Sequence, residues 1–316
     1  MSPYTLPQDA VWFITGCSSG IGLALCTYLS THTTSRIVAT ARNSASLSSL
    51  PDSEARVLKL ALDVTSSPSI AAALTATLAK WGRIDVVVNN AGYGLLTDTE
   101  TADLAKAREV MDTNFWGAVT ITQLCLPILR DENPLTGQKG GVIVQVTSLG
   151  GRLAFAGNAF YHASKFALEG FTEAVSKEMG DDWGVHFCCV EPGGVKTRYA
   201  ETSTSTSASK DGARERHPAY LDSGLATNVM RRYKESAEAT RGWAEPEKVV
   251  AAIYGIVRDG VGEGRDIPLR VPLGSDSWGM QRLAAEQSLR DLEVVRSVSL
   301  STSGAEQLAS IDFLKK

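Results

Sequence analysis

Short runs of apolar and β-branched residues recur along the first 190 residues and alternate with segments of helical spacing. The runs are almost continuously apolar, which is typical of parallel strands buried on both faces of a sheet. They predict strands at residues 10–15, 36–41, 57–62, 86–89, 141–147 and 185–190. The segments between them predict helices at residues 21–30, 66–81, 101–131 and 159–179. This alternation predicts an α/β fold, a doubly wound parallel sheet with helices on both faces.

The pattern changes after residue 197. Residues 198–243 contain the polar run ETSTSTSASK and interrupt the alternation, so they are interpreted as a lid inserted beside the ligand site. Helical spacing returns at 246–257 and 275–297, and the prolines of DIPLRVP, residues 266–272, favour an edge strand. The polar tail 298–316 is expected to be poorly ordered. With no internal repeat and no second core, we predict one domain over 1–316, with 10–197 as its core.

Composition excludes several functional classes. The chain of 316 residues has a formal net charge of −4, which is unlike a nucleic-acid-binding protein. No apolar run reaches the roughly 18 residues of a membrane span, and no signal peptide is recognised, so a cytoplasmic location is expected. The five cysteines lack metal-ligand spacing and lie mostly in apolar contexts, so they predict buried thiols and no metal site.

The stretch FITGCSSGIGLAL, residues 13–25, places Gly16, Gly20 and Gly22 between the first strand and the first helix. Glycine permits a tight turn and a close approach of the backbone to a ligand. The start of the following helix offers unpaired N–H groups and partial positive charge to a diphosphate. A plain strand-to-helix turn is the alternative interpretation of these glycines.

Further motifs follow the predicted strands in order. The spacing T-G-x-x-x-G-x-G resembles the glycine motif of the short-chain dehydrogenase/reductase family. Asn89-Asn90-Ala91-Gly92 resembles the N-N-A-G turn of that family, and Asn114 its helix asparagine. The later matches are Ser148 at a strand end, Tyr161-x-x-x-Lys165 and the P-G-x-x-x-T motif from Pro192 to Thr197. The resemblance spans residues 10–200 and implies a single-domain Rossmann fold, a nicotinamide cofactor and oxidoreductase chemistry.

The cofactor is predicted from the end of the second strand. An acidic residue that binds a ribose hydroxyl is expected there, about 20 residues after the glycines, but Arg42 occupies the position. A guanidinium matches a 2′-phosphate, so NADP(H) is favoured over NAD(H), unless Arg42 is simply a solvated surface residue. The resemblance and this argument together give the cofactor-binding set Gly16, Ser18, Ser19, Gly20, Ile21, Gly22, Arg42, Asp63, Val64, Asn90, Ala91, Gly92, Tyr161, Lys165, Pro192, Gly193, Val195 and Thr197.

Tyr161 and Lys165 are four residues apart in a predicted helix and therefore project from one face. The ammonium group and the nicotinamide ring are expected to lower the phenol pKa, so that Tyr161 can act as the general acid or base. Ser148 would bind the substrate oxygen. The resemblance implies that Lys165 also holds the nicotinamide ribose and that Asn114 anchors a water linked to Lys165. Taken singly, a surface Tyr–Lys pair and a turn-forming serine are the simpler interpretations.

The substrate is predicted from the lid. Its apolar side chains either cover a bulky ketone or alcohol or only pack the lid on the core; they are Tyr199, Tyr220, Leu221, Leu225, Met230 and Trp243. The stretches GCSSGIGLAL, ATARN and PLRVPLGSDS look similar to 17β-hydroxysteroid and retinol dehydrogenases. That similarity implies a hydrophobic carbonyl substrate, such as a polyketide, terpenoid or steroid-like ketone.

Three functions follow from these residues: an NADP(H)-dependent oxidoreductase, which is favoured, an isomerase, epimerase or cyclase that uses the same pocket, or a catalytically silent dinucleotide-binding module. Four intact catalytic positions argue against the silent module. The resemblance also implies a homodimer or homotetramer, formed through the helices at 101–131 and 159–179 or through the last strand.

Overall fold

A computed structural model of the chain describes residues 4–53, 55–199, 216–264 and 266–315. Seven strands form one parallel sheet in the order β3-β2-β1-β4-β5-β6-β7, which confirms the predicted doubly wound architecture. The strands are β1 Val11–Ile14, β2 Arg36–Ala41, β3 Val57–Ala61, β4 Val86–Asn89, β5 Gly141–Val146, β6 Val185–Pro192 and β7 Arg270–Leu273. The strand order reverses between β1 and β4, where ligands bind in open α/β sheets.

Helices cover both faces of the sheet. Along the described residues, the helices are α1 Gly20–His32, α2 Ser67–Trp81, α3 Leu104–Met111, α4 Gly117–Pro127, α5 Ala159–Glu178, α6 Ala226–Glu235, α7 Pro246–Asp259, α8 Ser275–Ser301 and α9 Ala305–Ser310. The helix predicted at 101–131 is interrupted by π-helical turns at Asp112–Trp116 and Ile128–Glu132. Apolar spacing cannot show such turns, because one extra residue in a turn hardly changes the pattern.

Two apolar clusters bury the faces of the sheet. On one face, Trp12 and Ile14 of β1 pack with Leu25 of α1 and Ile253 of α7. On the other face, the residue between them, Phe13, belongs to a cluster with side chains from α2, α4 and α5. Alternate residues of one strand thus enter opposite layers, so both helical layers hold the strand ends in place.

All five cysteines are buried and free, in line with the prediction of unpaired thiols. Among the described residues, no helix is long and apolar enough to cross a membrane.

The chain divides into a compact unit, Met1–Ser277, which contains the sheet, and a smaller unit, Trp278–Lys316. Helix α8 continues to Ser301, and α9 follows at Ala305–Ser310, in the segment where poor order is expected from the sequence. Helix α9 is rich in the helix formers alanine, glutamate, glutamine and leucine, which accounts for its formation.

Candidate active site

The glycine turn between β1 and α1 is packed directly against the segment that follows β4. Gly16 has a positive φ of 70°, and a Cβ placed on it would lie 2.9 Å from the Cα of Ala91. A Cβ on Gly22 would lie 2.5 Å from the carbonyl oxygen of Gly16. These contacts require glycine at both positions, because a methyl group would push the turn away from its neighbours.

Hydrogen bonds join the same two segments. The Asn90 Nδ2 donates to the carbonyl oxygens of Thr15, at 2.8 Å, and Gly16, at 3.1 Å. The Thr15 Oγ1 accepts from the backbone N–H groups of Asn90 and Ala91, each at 2.9 Å. The side chain of Asn90, predicted to bind the cofactor, therefore shapes the turn. Thr15 has the same role and is absent from the predicted set.

The start of α1 fits a diphosphate. Its N-cap residue, Ser19, makes no side-chain capping hydrogen bond, so the first N–H groups of the helix are not occupied by that side chain. A groove of about 1330 Å³ opens beside it, lined by residues that include Ser18, Gly20, Thr197 and Lys234. A helix N-terminus with glycine-permitted approach and nearby cationic groups is suited to a phosphate.

The opposite end of the predicted cofactor site lies beyond β2 and β3. Arg42 is exposed after β2, and Asp63 follows β3. Hydrogen bonds from the backbone and hydroxyl of Thr65 lower the Asp63 pKa, and the charge of Arg42 adds to this effect. The buried Val64 packs against Gly117, where an added Cβ would lie 2.9 Å from the Cβ of Val64.

The three central catalytic candidates meet where β5 ends against α5. Lys165 and Tyr161 are 5% and 8% exposed, and the Lys165 Nζ lies 6.0 Å from the centroid of the Tyr161 ring. The Lys165 Nζ also donates a 2.8 Å hydrogen bond to the carbonyl oxygen of Val146, the last residue of β5. Ser148 follows this strand, and its hydroxyl is hydrogen-bonded to the Tyr161 phenol.

Burial sets the proton affinities of this pair. It raises the pKa of Tyr161, while hydrogen bonds with Ser148 and Tyr199 oppose the rise. It lowers the pKa of Lys165 to about 8, opposed by the negative charge of Glu169. The expected lowering of the phenol pKa is therefore not found in the protein alone, because loss of water outweighs the hydrogen bonds with Ser148 and Tyr199. Tyr161 is a protonated phenol at neutral pH and can act as an acid.

Asn114 lies in the π-helical turn Asp112–Trp116 and is 1% exposed. Its amide accepts from the N–H of Tyr93 and donates to the carbonyl oxygen of Tyr93, each at 3.0 Å. It also donates to the hydroxyl of Ser164, which in turn donates to the carbonyl oxygen of Tyr161. The distorted helix is thus tied to α5 beside Tyr161 and Lys165, through Ser164, which is absent from the predicted set.

The P-G-x-x-x-T motif is held by neighbouring loops. Pro192 ends β6, the N–H of Gly193 bonds to the carbonyl oxygen of Leu273, and the N–H of Gly194 donates to the Asp276 carboxylate at 2.7 Å. Val195 is buried and pairs with the backbone of Ala244. These bonds bring Thr197 to the glycine turn: a Cβ on Gly20 would lie 3.4 Å from Thr197.

Tyr199 and Lys234 also lie at the site. The Tyr199 hydroxyl is hydrogen-bonded to Tyr161, and the Lys234 Nζ lies 5.2 Å from the Tyr199 ring centroid. Tyr199 is predicted only as a lid residue, and no sequence pattern singles out Lys234. His162, between the catalytic residues, is buried; its Nδ1 accepts from Phe155, and burial lowers its pKa to about 4, so it is neutral.

The other residues predicted to form the lid differ in how they are packed. Trp243 packs on the loop after β6, since a Cβ on Gly194 would lie 2.5 Å from its indole ring. Leu221 and Leu225 are exposed to solvent. The Ser/Thr-rich run at 201–210 lies outside the described residues.

Comparison with known proteins identifies relatives of the whole chain. Residues 10–208 match the profile of the short chain dehydrogenase family. The chain is 39% identical over 301 residues to oxidoreductase calM of Penicillium decumbens, with 94% of each chain covered. It is 37% identical over 193 residues to retinol dehydrogenase 8 of Bos taurus, covering 59% of each.

A solved structure has the same architecture. A short-chain dehydrogenase from Streptomyces avermitilis superposes with a TM-score of 0.75 at 28% sequence identity. The match covers 94% of this chain and 100% of the bacterial one.

The packing of the glycine turn gives a stability test. We expect Gly22→Ala to lower the free energy of unfolding by about 1–3 kcal/mol, because the new methyl group would overlap the carbonyl of Gly16. Gly255→Ala is the control: it lies inside α7, no atom outside the backbone of that helix lies within 4 Å of the added Cβ, and the change should raise stability by up to about 1 kcal/mol. Urea unfolding of both variants measures this, and equal stabilities would contradict the close packing of the turn.

Proposed function

Because the chain belongs to the short-chain dehydrogenase/reductase family, we propose that it is an NADP(H)-dependent oxidoreductase that interconverts a hydrophobic ketone and a secondary alcohol. The observation that carries this proposal is the meeting of Tyr161, Ser148 and Lys165 at the end of β5. A phenol hydrogen-bonded to a hydroxyl, with an ammonium group 6.0 Å from its ring centroid, suits proton transfer at a substrate oxygen.

Tyr161 is the proposed general acid in reduction. Its phenol donates a proton to the substrate carbonyl oxygen, and in oxidation the same oxygen takes the proton of the alcohol. The Ser148 hydroxyl donates a hydrogen bond to the substrate oxygen and stabilises the negative charge that develops there. The nicotinamide, when bound, supplies or accepts the hydride at the adjacent carbon.

Lys165 is proposed to act on both Tyr161 and the nicotinamide cofactor. Its ammonium group lies over the Tyr161 ring and favours the phenolate that remains after proton transfer. We infer that it also binds the nicotinamide ribose hydroxyls. The link from Asn114 through Ser164 to the Tyr161 backbone keeps α5 in register with this site.

Arg42 is proposed to select the phosphorylated cofactor. Its guanidinium follows β2 at the position expected to read the ribose 2′ group, and its charge acts on Asp63 across the end of the cleft. A planar guanidinium binds a phosphate in two-point fashion, whereas it gains much less from a neutral hydroxyl. This chemistry supports NADP(H) over NAD(H).

A hydrophobic substrate is supported by the similarity to retinol dehydrogenase 8 and by aromatic side chains at the catalytic phenol. The Tyr199 ring centroid lies 5.4 Å from that of Tyr161, and Phe155 packs edge-on against His162. The surface formed by these aromatic side chains suits a bulky apolar carbonyl compound better than a small polar one.

We propose a cytosolic location, a compartment in which free thiols such as these five are usual.

A panel of bulky ketones and secondary alcohols, assayed with NADPH, NADH and their oxidised forms, tests this function. Loss of reduced-nicotinamide absorbance that matches alcohol formation supports a reductase. Product formed without net consumption of cofactor would instead support an isomerase or cyclase. Dinucleotide binding without any turnover across the panel would support the silent module.

The proposed acid is tested by Tyr161→Phe. This change removes only the hydroxyl, so kcat should fall by roughly 10²–10⁴-fold while NADPH affinity stays near that of the wild type. Turnover and NADPH fluorescence titration measure the two effects. Tyr254→Phe, which alters a ring packed on Trp12, serves as the control. Unimpaired turnover by Tyr161→Phe would rule out its role.

Cofactor choice is tested by Arg42→Asp. Loss of the cation and gain of a carboxylate should reduce the ratio of kcat/KM for NADPH to that for NADH by about 10–100-fold. Arg290→Asp makes the same charge change on an exposed part of α8 and should leave the ratio unaltered. A constant ratio in Arg42→Asp would mean that the 2′-phosphate is read elsewhere.

We propose that the protein is a homodimer in which α4 and α5 pair with those of a second copy. Trp116, before α4, and Phe166 on α5 are 54% and 44% exposed in the single chain, a large apolar surface for an isolated subunit. Light scattering should give twice the subunit mass for the wild type. The double variant Trp116→Glu/Phe166→Glu should give the single mass, and Leu135→Glu, on an exposed turn, should not. A monomeric wild type contradicts this proposal.

A further inference from the structure

Tyr199 approaches the catalytic phenol from the segment after β6. Its backbone N–H donates to the Thr197 Oγ1 at 3.2 Å, which continues the P-G-x-x-x-T motif by two residues. Its ring lies 5.4 Å from the Tyr161 ring, centroid to centroid, tilted by 52°, and the two hydroxyls are hydrogen-bonded. Tyr161 therefore contacts one hydroxyl from Ser148 and a second from Tyr199.

The Tyr199 ring is held in place from α6. The Lys234 Nζ lies 5.2 Å from the ring centroid and donates a 2.9 Å hydrogen bond to the Asn158 Oδ1. Asn158 is 2% exposed and directly precedes α5, the helix that carries Tyr161. An ammonium group over an aromatic face is attracted to it, more strongly where water is excluded. Lys234 thus connects the lid to the helix of the catalytic residues.

We propose that Tyr199 is a further catalytic residue, whose hydroxyl donates a hydrogen bond to the Tyr161 oxygen and stabilises the phenolate formed when Tyr161 gives its proton to the substrate. This inference rests on the proposed oxidoreductase function. In the step, the O–H bond of Tyr161 breaks and a new O–H bond forms on the substrate oxygen. Tyr199 keeps its own proton throughout.

The hydrogen-bonding capacity of the phenol permits this arrangement. A phenolic oxygen donates one hydrogen bond and accepts others. Tyr161 can accept from Tyr199 while its own hydrogen points to the substrate oxygen. Burial raises the pKa of both phenols, and the hydrogen bond with Tyr199 opposes this rise for Tyr161.

Other titratable groups face Tyr161 and must be separated from Tyr199 in any test. Lys165 and His162 lie on its own helix, and Lys234 stands behind Tyr199. His162, with a pKa of about 4, stays neutral above mildly acidic pH. Lys165 and Lys234 have pKa values of about 8 and lose charge in the alkaline range. The phenol itself therefore has to be observed.

The kinetic test is the pH dependence of kcat/KM for oxidation of 1-phenylethanol with NADP⁺. Oxidation needs the phenolate, so the rate rises with pH through the apparent pKa of Tyr161. In Tyr199→Phe this rising part of the pH profile should move to higher pH by about half to one unit, a threefold to tenfold change in the ionisation constant of Tyr161. Tyr254→Phe should leave it in place.

Two kinetic outcomes would overturn the inference. One is a pH profile of kcat/KM that rises at the same pH in Tyr199→Phe as in the wild type. The other is a rate that changes by the same factor at every pH, a rise included, since that would mean that the Tyr199 hydroxyl only competes with substrate for Tyr161.

A spectroscopic test decides the matter if the protein does not oxidise the alcohol. Protein labelled with [¹³Cζ]tyrosine gives one carbon resonance for each ring, and the signal of Tyr161 is assigned by its absence in Tyr161→Phe. In Tyr199→Phe this resonance should shift at neutral pH and titrate at higher pH than in the wild type, whereas Tyr254→Phe should change neither. An unaltered resonance and midpoint in Tyr199→Phe contradict the proposal, whatever the activity of the protein.

Discussion

The site depends on the docking of α5 against the end of β5. The buried Lys165 donates its hydrogen bond to the last carbonyl of that strand, and this places Tyr161 beside the serine that follows. A buried ammonium group without such an acceptor would be costly, so the bond fixes the rotation and the height of the helix. Other parts of the site support this contact. The Asn114–Ser164 link secures the same helix, and Thr15 and Asn90 secure the glycine turn nearby.

Burial gives the catalytic pair its proton affinities, with opposite effects on its two members. Loss of water disfavours the charged form of each group, so the phenol holds its proton more tightly and the ammonium group less tightly. Hydrogen bonds with the hydroxyls of Ser148 and Tyr199 act in the opposite direction and favour the phenolate of Tyr161. Under the proposed function, burial favours a neutral Tyr161 before the reaction, and the two hydroxyls would stabilise the charge formed during it. This is the electrostatic preorganisation expected of a proton-transfer site.

The sequence predicts the strands and the motif residues better than it predicts the contacts that hold those residues in place. The first six strands follow from continuous apolar runs, and the motif residues follow from their resemblance to the short-chain dehydrogenase/reductase family. The π-helical turn at Asn114 changes the helical spacing too little to be seen. Thr15 opens the glycine motif, but its hydrogen bonds to the segment after β4 cannot be seen in that motif. Ser164 and Lys234 bond to Asn114 and Asn158, 50 and 76 residues away in the chain, so local pattern gives no sign of these contacts. Tyr199 is visible as an apolar lid residue, but its contact with Tyr161 depends on how the segment after β6 turns.

Transfer of deuterium is the most direct test of the central claim that Tyr161 protonates a carbonyl oxygen while hydride arrives at the neighbouring carbon. The protein is incubated with a bulky ketone and NADPH deuterated at the transferable C4 position of the nicotinamide, and the product is analysed by mass spectrometry and NMR. The account predicts one deuterium on the carbinol carbon of the wild-type product, and formation of this product slowed by roughly 10²–10⁴-fold in Tyr161→Phe. Product formed without cofactor-derived deuterium would contradict it.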